Sequence, residues 1–309
     1  MRDYFLVDSI TVITISGKDR LKWLNNLVTN ELKRTSESRA VECFVTNVKG
    51  RTLSHGIVFS DRDSLVFFSW GKDQAANLIS HWDRYIIRED VALVDDSSRW
   101  RWAFVRRAWL TTELKSERIE QLTNMEVSAT DSSTPVIVIA CPVIGEEWLL
   151  VRFNIEDSIH TLLSERSMDT RLEDAIALEA KRIRQRWPLV GIDFDEKNLP
   201  QELDRNDTAI SFNKGCYLGQ ETVARLDALG QVQKKLVLLS IEGSDLTNSN
   251  GLKNGVIVKK DEQEAGTITS MTITEAGSGK AVALAYIRRA HFAAGTELTC
   301  NGFRAVVLP

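Results

Sequence analysis

Long apolar runs are missing from the sequence, and their absence argues against a membrane-spanning helix. The longest apolar stretches, at residues 136–140 and 281–287, are far shorter than the roughly 20 residues that such a helix needs. The first seven residues include Asp3 and lack the basic, apolar and small-residue order of a targeting segment. We therefore expect a soluble, cytoplasmic protein without a membrane partner.

Cysteine and histidine are scarce, with four residues of each kind. The cysteines form no Cys-x-x-Cys pair, and the histidines show neither His-x-His nor His-x-x-x-His spacing. The residues are Cys43, Cys141, Cys216, Cys300, His55, His81, His160 and His291. This pattern predicts a set of reduced thiols and no metal site.

An excess of positive charge is also lacking, because 43 acidic residues outnumber 39 basic ones and the net charge is −4. The whole chain therefore has no general attraction to DNA or anionic lipid, and we expect no direct DNA contact. One local exception is the segment in which Arg99, Arg101, Arg106 and Arg107 alternate with Trp100, Trp102 and Trp109. It could stack on single-stranded RNA, or it could be a strand with one apolar and one charged face.

The length of 309 residues predicts two domains or three, and the local patterns predict an α+β fold. Strand-like and helix-like segments alternate up to about residue 230, which suggests two α+β units of related plan. Two of the predicted helices lie near residues 112–122 and 156–166. Beyond residue 230 strands follow one another between polar turns, which is typical of a small antiparallel β-barrel. We expect a body at 1–230 and a C-terminal β-barrel at 231–309.

The segment Lys-Gly-Cys-Tyr-Leu-Gly-Gln-Glu at residues 214–221, called here the signature segment, is the most unusual part of the sequence. It places Cys216 between two glycines and two residues after Lys214. A neighbouring cation favours thiolate, so Cys216 is a candidate functional thiol and Lys214 a candidate catalytic partner. The alternative is a buried cysteine that only packs, because free cysteines are among the most buried residue types.

This segment closely resembles the signature of the YgfZ family, folate-binding relatives of the glycine-cleavage T-protein, an aminomethyltransferase. Four other stretches are similar to that family in the same order along the chain. They are Gly17-Lys-Asp-Arg, the stretch at residues 23–30, Asn47-Val-Lys-Gly-Arg51, and residues 191–202. The resemblance covers essentially the whole chain.

The resemblance implies a tetrahydrofolate-binding α+β body around a central cleft, closed by the C-terminal β-domain. It also implies an accessory factor for making or repairing iron–sulfur enzymes, which through them affects tRNA modification. The implied partners are folate and the iron–sulfur client enzymes. A pterin needs an acidic side chain at its amino-pyrimidine edge, and the folate tail needs cations. Alignment with the T-protein's acidic residue gives Asp193 as the first candidate acid, and Glu202 is the second. Arg225 is a candidate for the tail, and its alternative is a solvated residue on a helix face. Further candidate folate-binding residues, all within the signature segment, are Tyr217, Gln220 and Glu221.

Two departures from the family pattern bear on the chemistry. Arg184 stands where relatives carry a glutamate, which changes the local folate contacts. The T-protein's catalytic aspartate belongs to an Asp-Asp pair that aligns with Ser54 and His55, and neither reproduces the charge of a carboxylate. Aminomethyl transfer is therefore disfavoured, and a folate-dependent one-carbon transferase remains the alternative function.

Overall fold

A computed structural model describes residues 3–37, 39–71, 73–114, 119, 127–129, 136–141, 143–154, 172–230, 232–243, 246, 254–274 and 278–309. The chain divides into two compact units. Unit 1 contains residues 1–48, 53–170 and 207–218, and unit 2 contains residues 49–52, 171–206 and 219–309. This division groups the C-terminal strands with residues 171–206, and the boundary at residues 230 and 231 stays a prediction.

Unit 1 contains two five-stranded sheets. The first has the strand order β3-β4-β5-β2-β6 and the second β1-β7-β10-β9-β8. The strands are β1 (Tyr4–Leu6), β2 (Ile10–Ser16), β3 (Val41–Thr46), β4 (Thr52–Asp61), β5 (Ser64–Trp70), β6 (Ala92–Asp95), β7 (Arg101–Arg106), β8 (Val127–Ala129), β9 (Ile137–Ile139) and β10 (Trp148–Phe153). The ring centroids of Phe68 on β5 and Trp102 on β7 lie 4.6 Å apart, so aromatic side chains from the two sheets pack against each other.

Short helices cover the first sheet of unit 1. They include α1 (Arg20–Asn25) and α2 (Ala75–Asp83). A third helix, α3 (Arg107–Leu114), directly follows β7 of the second sheet. Apolar residues at spacings of three and four on α2 bury Ala75, Leu78 and Trp82 against the sheet. The Trp82 indole meets Phe67 at 5.4 Å between ring centroids. This packing fixes the position of the chain around α1, where the signature segment is bound.

Unit 2 contains a closed six-stranded barrel with the order β11-β14-β13-β12-β15-β16, in which all strand pairs are antiparallel. The strands are β11 (Lys234–Glu242), β12 (Ile257–Lys260), β13 (Gln263–Ile273), β14 (Lys280–Arg288), β15 (Glu297–Cys300) and β16 (Phe303–Val307). Alternate residues of β14, from Ala281 to Ile287, point into the barrel core. Unit 2 also carries α4 (Leu172–Arg184) and α6 (Gln220–Leu229), and α5 (Asn206–Ala209) lies at the junction of the two units in sequence.

The α+β class and the C-terminal β-barrel are confirmed. The predicted helix at 112–122 overlaps α3, which ends at Leu114, and most of the remaining residues lie outside the described part of the chain. The predicted helix at 156–166 lies wholly outside it. Within the described ranges, no helix is both long and apolar enough to cross a membrane.

Candidate functional site

The start of the signature segment and the residues just before it belong to unit 1, where hydrogen bonds join them to the stretch at residues 23–30 and to β3. The bonds are Ser211 N to Thr29 O (3.0 Å), Leu218 N to Asn26 O (2.9 Å), Thr29 Oγ1 to Ala209 O (2.6 Å), Asn30 Nδ2 to Thr208 O (2.8 Å) and Thr46 Oγ1 to Leu218 O (2.6 Å). Two of the stretches that resemble the YgfZ family therefore meet in space. The sequence alone gave no sign that they contact each other.

Lys214 points into unit 1, where only 7% of the residue is exposed. Its ammonium donates to the carbonyl oxygens of Asn25 (2.6 Å), Val28 (2.9 Å) and Asn30 (2.7 Å). Burial lowers the pKa of Lys214 to about 8, while the nearby Cys43 and Glu31 oppose that shift. These three contacts could not be predicted from the sequence, because backbone acceptors leave no side-chain pattern.

Cys216 is exposed, whereas Cys43, Cys141 and Cys300 are buried. Burial raises the pKa of the Cys43 and Cys141 thiols to about 12 and that of the Cys300 thiol to about 11. Buried thiols with such values stay protonated near neutral pH and are poor nucleophiles. Cys216 is therefore the cysteine that this arrangement leaves open to reagents.

The other candidates of the signature segment have different environments. Tyr217 is buried, its ring centroid lies 5.3 Å from Lys214 Nζ, and burial raises its pKa to about 12. Gly219 is the N-cap of α6 in unit 2, whose first turn contains the partly buried Gln220 and the exposed Glu221. Arg225 is exposed farther along the same helix. The roles of these residues in folate binding stay predictions.

Asp193, the first candidate for the pterin, is buried in unit 2 and accepts four hydrogen bonds. Oδ2 accepts from the Arg182 guanidinium (2.8 Å) and from Leu189 N (3.0 Å). Oδ1 accepts from the hydroxyls of Thr269 and Ser270, both at 2.6 Å. These partners account for a buried carboxylate without any ligand. The assignment of Asp193 to the pterin stays a prediction.

Glu202, the second candidate acid, lies at a surface cavity of about 720 Å³ in unit 2. Its Oε2 accepts hydrogen bonds from Asn198 Nδ2 (2.9 Å) and Leu199 N (3.4 Å), and Lys234 Nζ lies 3.9 Å away. For Oε1 no hydrogen bond to a described residue is found. The cavity is lined by Glu202, Gln233, Lys234, Arg288, Arg289 and Ala290. It therefore combines one carboxylate with three cations.

Tyr286 lies beside this group of charges. The ammonium of Lys234 is 4.5 Å from the Tyr286 ring centroid. Burial raises the pKa of Tyr286, and the carboxylates of Glu202 and Asp193 raise it further. The two candidate acids therefore share one neighbourhood of unit 2, although their hydrogen-bonding environments differ.

Ser54 and His55 are both buried on β4. Ser54 Oγ donates to Gln74 Oε1 at 2.7 Å, and His55 Nε2 lies 2.7 Å from Glu42 Oε1 on the neighbouring strand. A carboxylate is therefore present beside position 55, although it comes from β3. The role of Glu42 could not be predicted from the sequence, because the two cross-strand neighbours lie 13 residues apart along the chain.

The Arg/Trp segment forms β7 and the residues around it. Trp102 is buried, Arg99 forms an ion pair with Asp96 at 3.5 Å, and Arg152 lies 4.3 Å from the Trp100 ring centroid. The Arg107 guanidinium donates to Ile119 O. These contacts agree with the strand interpretation, and contact with RNA stays a prediction.

A second cavity, of about 410 Å³, lies in unit 1 next to the signature segment. Its apolar wall comes from Trp23, Leu27, Tyr85 and Leu218, and its charged rim includes Lys22 and Arg88. The Trp23 indole N–H donates to Tyr85 O at 2.9 Å. Among the described residues, no group of three or more His, Cys, Asp or Glu side chains is arranged to hold a metal ion.

Comparison with known proteins relates the chain to YgfZ. The tRNA-modifying protein YgfZ of Colwellia psychrerythraea is 25% identical over 247 residues, which cover 74% of this chain and 68% of that protein. YgfZ of Aliivibrio fischeri is 24% identical over 277 residues, which cover 88% of this chain and 81% of its own. The resemblance to YgfZ proteins is confirmed.

Other comparisons extend this result. A putative chloroplastic transferase of Arabidopsis thaliana is 22% identical over 299 residues, covering 93% of this chain and 65% of the plant protein. Aminomethyltransferase T of the Bartonella henselae glycine cleavage system superposes with a TM-score of 0.79 over 99% of this chain and 84% of its own. At 15% identity, this match concerns the fold alone. No protein-family model matches the chain.

Proposed function

We propose that this protein binds tetrahydrofolate in the cytoplasm and supports the assembly or repair of iron–sulfur enzymes, and thereby affects tRNA modification. The observation that carries the proposal is the similarity to proteins named tRNA-modifying protein YgfZ over 74% and 88% of the chain. The signature segment adds a second argument, because it presents an exposed thiol on a firmly bound piece of backbone.

The residues at the cavity beside Glu202 fit the chemical groups of a folate. The Glu202 carboxylate suits the amino-pyrimidine edge of a pterin, because it can accept charge-assisted hydrogen bonds, which are stronger than bonds between neutral groups. Lys234, Arg288 and Arg289 supply positive charge for the carboxylates of the glutamate tail. When bound, tetrahydrofolate would supply a carrier for one-carbon units.

Of the two candidate acids, Glu202 is the better pterin partner. Both oxygens of Asp193 accept hydrogen bonds from protein groups, so a pterin would have to replace partners that the fold already provides. Glu202 engages the protein through Oε2 and lies at a cavity. Arg225, Tyr217, Gln220 and Glu221 remain candidates for further folate contacts.

Calorimetric titration of the purified protein with tetrahydrofolate tests the binding part of the proposal. We expect a saturable exothermic or endothermic isotherm with one site. No heat at millimolar folate would contradict folate binding. A reconstituted glycine-cleavage assay tests the alternative, because turnover comparable to that of an authentic T-protein would establish a one-carbon transferase instead.

A cellular assay tests the part that concerns iron–sulfur enzymes. The chain is expressed in bacteria that lack their own YgfZ, and thiomethylated nucleosides in tRNA are measured by mass spectrometry. We expect the wild-type chain to restore the modification and Cys216→Ala to fail at equal protein level. Cys300→Ala serves as the control for loss of a cysteine. Full restoration by Cys216→Ala would remove the thiol from the function.

A further inference from the structure

The contacts of Lys214 match the capacity of its side chain. A lysine ammonium has three N–H donors and no acceptor. In this structure the nitrogen lies within hydrogen-bonding distance of three backbone carbonyl oxygens, at 2.6, 2.7 and 2.9 Å. All three donors are therefore used by the backbone at residues 25–30.

The three carbonyl groups in turn need a donor. Asn25 is the last residue of α1, so its carbonyl has no partner within the helix. Val28 is fully buried and cannot exchange its partner for water. An apolar side chain at position 214 would leave the buried Val28 carbonyl without a hydrogen bond, which is costly, and would also remove the donor to the partly buried Asn25 and Asn30 carbonyls.

Cys216 lies midway between two anchored positions. Lys214, two residues before it, is held by the three carbonyl groups. Leu218, two residues after it, donates its N–H to Asn26 O at 2.9 Å and accepts from Thr46 Oγ1 at 2.6 Å. Because consecutive α-carbons are about 3.8 Å apart, Cys216 lies within about 7.6 Å of both anchors.

We propose that Lys214 is a positioning residue, which holds the backbone around Cys216 through its three carbonyl contacts and does not act on the thiol directly. This inference rests on the proposed function for Cys216. An ammonium whose three N–H groups all donate to backbone oxygens has no N–H left to donate to a thiolate. The role requires a compact ammonium, because the planar guanidinium of arginine cannot reproduce three converging N–H bonds at one nitrogen.

Two substitutions separate positioning from activation of the thiol. Lys214→Met removes the charge and the donors, and Lys214→Arg keeps the charge but changes the geometry. Lys18→Met removes an exposed lysine of unit 1 and is the matched control. The measurements are amide hydrogen exchange at Ser211 and Leu218, the pH profile of iodoacetamide labelling at Cys216, and tRNA thiomethylation in cells.

We expect amide exchange at Ser211 and Leu218 to increase at least about tenfold in both Lys214 variants, since several charge-assisted hydrogen bonds are lost. The midpoint of the labelling profile should not move, and thiomethylation should fall at least about tenfold in both variants. Lys18→Met should match the wild type. Full thiomethylation with Lys214→Arg would contradict the proposal that Lys214 positions the backbone around Cys216. A higher labelling midpoint for Lys214→Met with unchanged amide exchange would also contradict it.

A measurement on the wild-type protein covers the case in which both variants fail to fold. Lysine-selective NMR should detect one ammonium group whose hydrogens exchange slowly with water, because Lys214 is buried and fully hydrogen-bonded. If every lysine ammonium exchanges as fast as that of an exposed lysine, the carbonyl contacts do not exist in solution. Cys216→Ala could leave thiomethylation unchanged while the Lys214 ammonium exchanges slowly. That result would contradict the proposed function, but it would agree with the contacts between Lys214 and the three carbonyl groups.

Discussion

The Arg182 guanidinium donates a hydrogen bond to the carboxylate of Asp193 at 2.8 Å, and neither side chain is accessible to solvent. Thr269 and Ser270 on β13 donate to the other carboxylate oxygen. Asp193 therefore joins the end of α4 to a barrel strand. The sequence proposed Asp193 as an acid for the pterin, and these contacts within unit 2 give its carboxylate a structural role.

We expect Asp193→Asn to destabilise unit 2 by about 3 kcal/mol, because removing one partner of a buried ion pair leaves the other charge uncompensated. Glu179, which also binds Arg182, limits the loss. Hydrogen exchange of the β13 and β14 amides measures the effect, and Asp195→Asn, a half-exposed carboxylate, is the control. Unchanged exchange together with weaker folate binding would instead favour a role in the pterin site.

Glu202→Gln should weaken tetrahydrofolate binding about tenfold or more, because a charge-assisted hydrogen bond becomes a neutral one. The glutamine can still accept hydrogen bonds from Asn198 and Leu199, so the fold should be retained. Calorimetry measures the affinity, with Asp227→Asn on the exposed face of α6 as the control. Equal affinities for Glu202→Gln and the control would exclude Glu202 from the pterin site.

The sequence predicted the elements that local patterns determine. The strands of the barrel are an example, since short apolar runs such as β14, separated by polar turns, are local features. The partners of Lys214 could not be predicted, because they are backbone carbonyl groups 184–189 residues away. Proximity in sequence pointed to Cys216 as the target of the lysine, whereas the fold directs its side chain into unit 1.

The partners of Asp193 could not be predicted from the sequence either, because its hydroxyl partners lie 76 and 77 residues farther along the chain. The resemblance indicated that an acid at this position matters, but it could not separate a ligand contact from a fold contact. The Arg/Trp segment, for which a strand is one of two interpretations, forms β7 only up to Arg106, and α3 begins at the next residue. Such boundaries depend on tertiary contacts that a local pattern does not contain.

Iodoacetamide at pH 8 should label Cys216 long before the other three cysteines. Cys216 is exposed, whereas Cys43, Cys141 and Cys300 are buried with pKa values raised to about 11 or 12. Peptide mapping by mass spectrometry follows each thiol over time, and the protein in 6 M guanidinium chloride gives about equal labelling as the reference. Earlier labelling of Cys43 than of Cys216 in the native protein would contradict this arrangement.

Gly50→Ala should destabilise unit 2 by about 2 kcal/mol. Gly50 has a φ of +72°, and an added Cβ would lie 2.9 Å from Gly219 O and 2.8 Å from Thr222 Cβ. The positive φ alone costs a non-glycine residue about 1–2 kcal/mol. Gly215→Ala is the control, because no atom lies within 4 Å of its added Cβ. Urea denaturation followed by circular dichroism compares them, and equal stabilities would show that the turn at Gly50 can move away from α6.

Unit 1 should lose stability above pH 10.5, partly through Cys43. Burial raises the pKa of Cys43 from 9.0 to about 12, so between these values the unfolded chain loses a proton that the folded chain keeps. Stability therefore falls with rising pH, by up to about 1.4 kcal/mol per pH unit for each such thiol. Lys214 acts in the opposite direction, because its pKa is lowered to about 8 from 10.5, but its contribution ends near pH 10.5.

Cys43→Ala isolates this effect between pH 10.5 and 11.5. As pH rises, its free energy of unfolding should decline less steeply than that of the wild type, and the two slopes should differ by about 1 kcal/mol per pH unit. The smaller side chain changes the free energy of unfolding by a constant amount, which does not alter the slope. Tryptophan fluorescence in urea is a suitable probe, because seven of the eight tryptophans lie in unit 1. Cys300→Ala, in the barrel, should leave the slope of the unit 1 transition unchanged. Parallel slopes for the wild type and Cys43→Ala would mean that Cys43 titrates alike in the folded and unfolded chains.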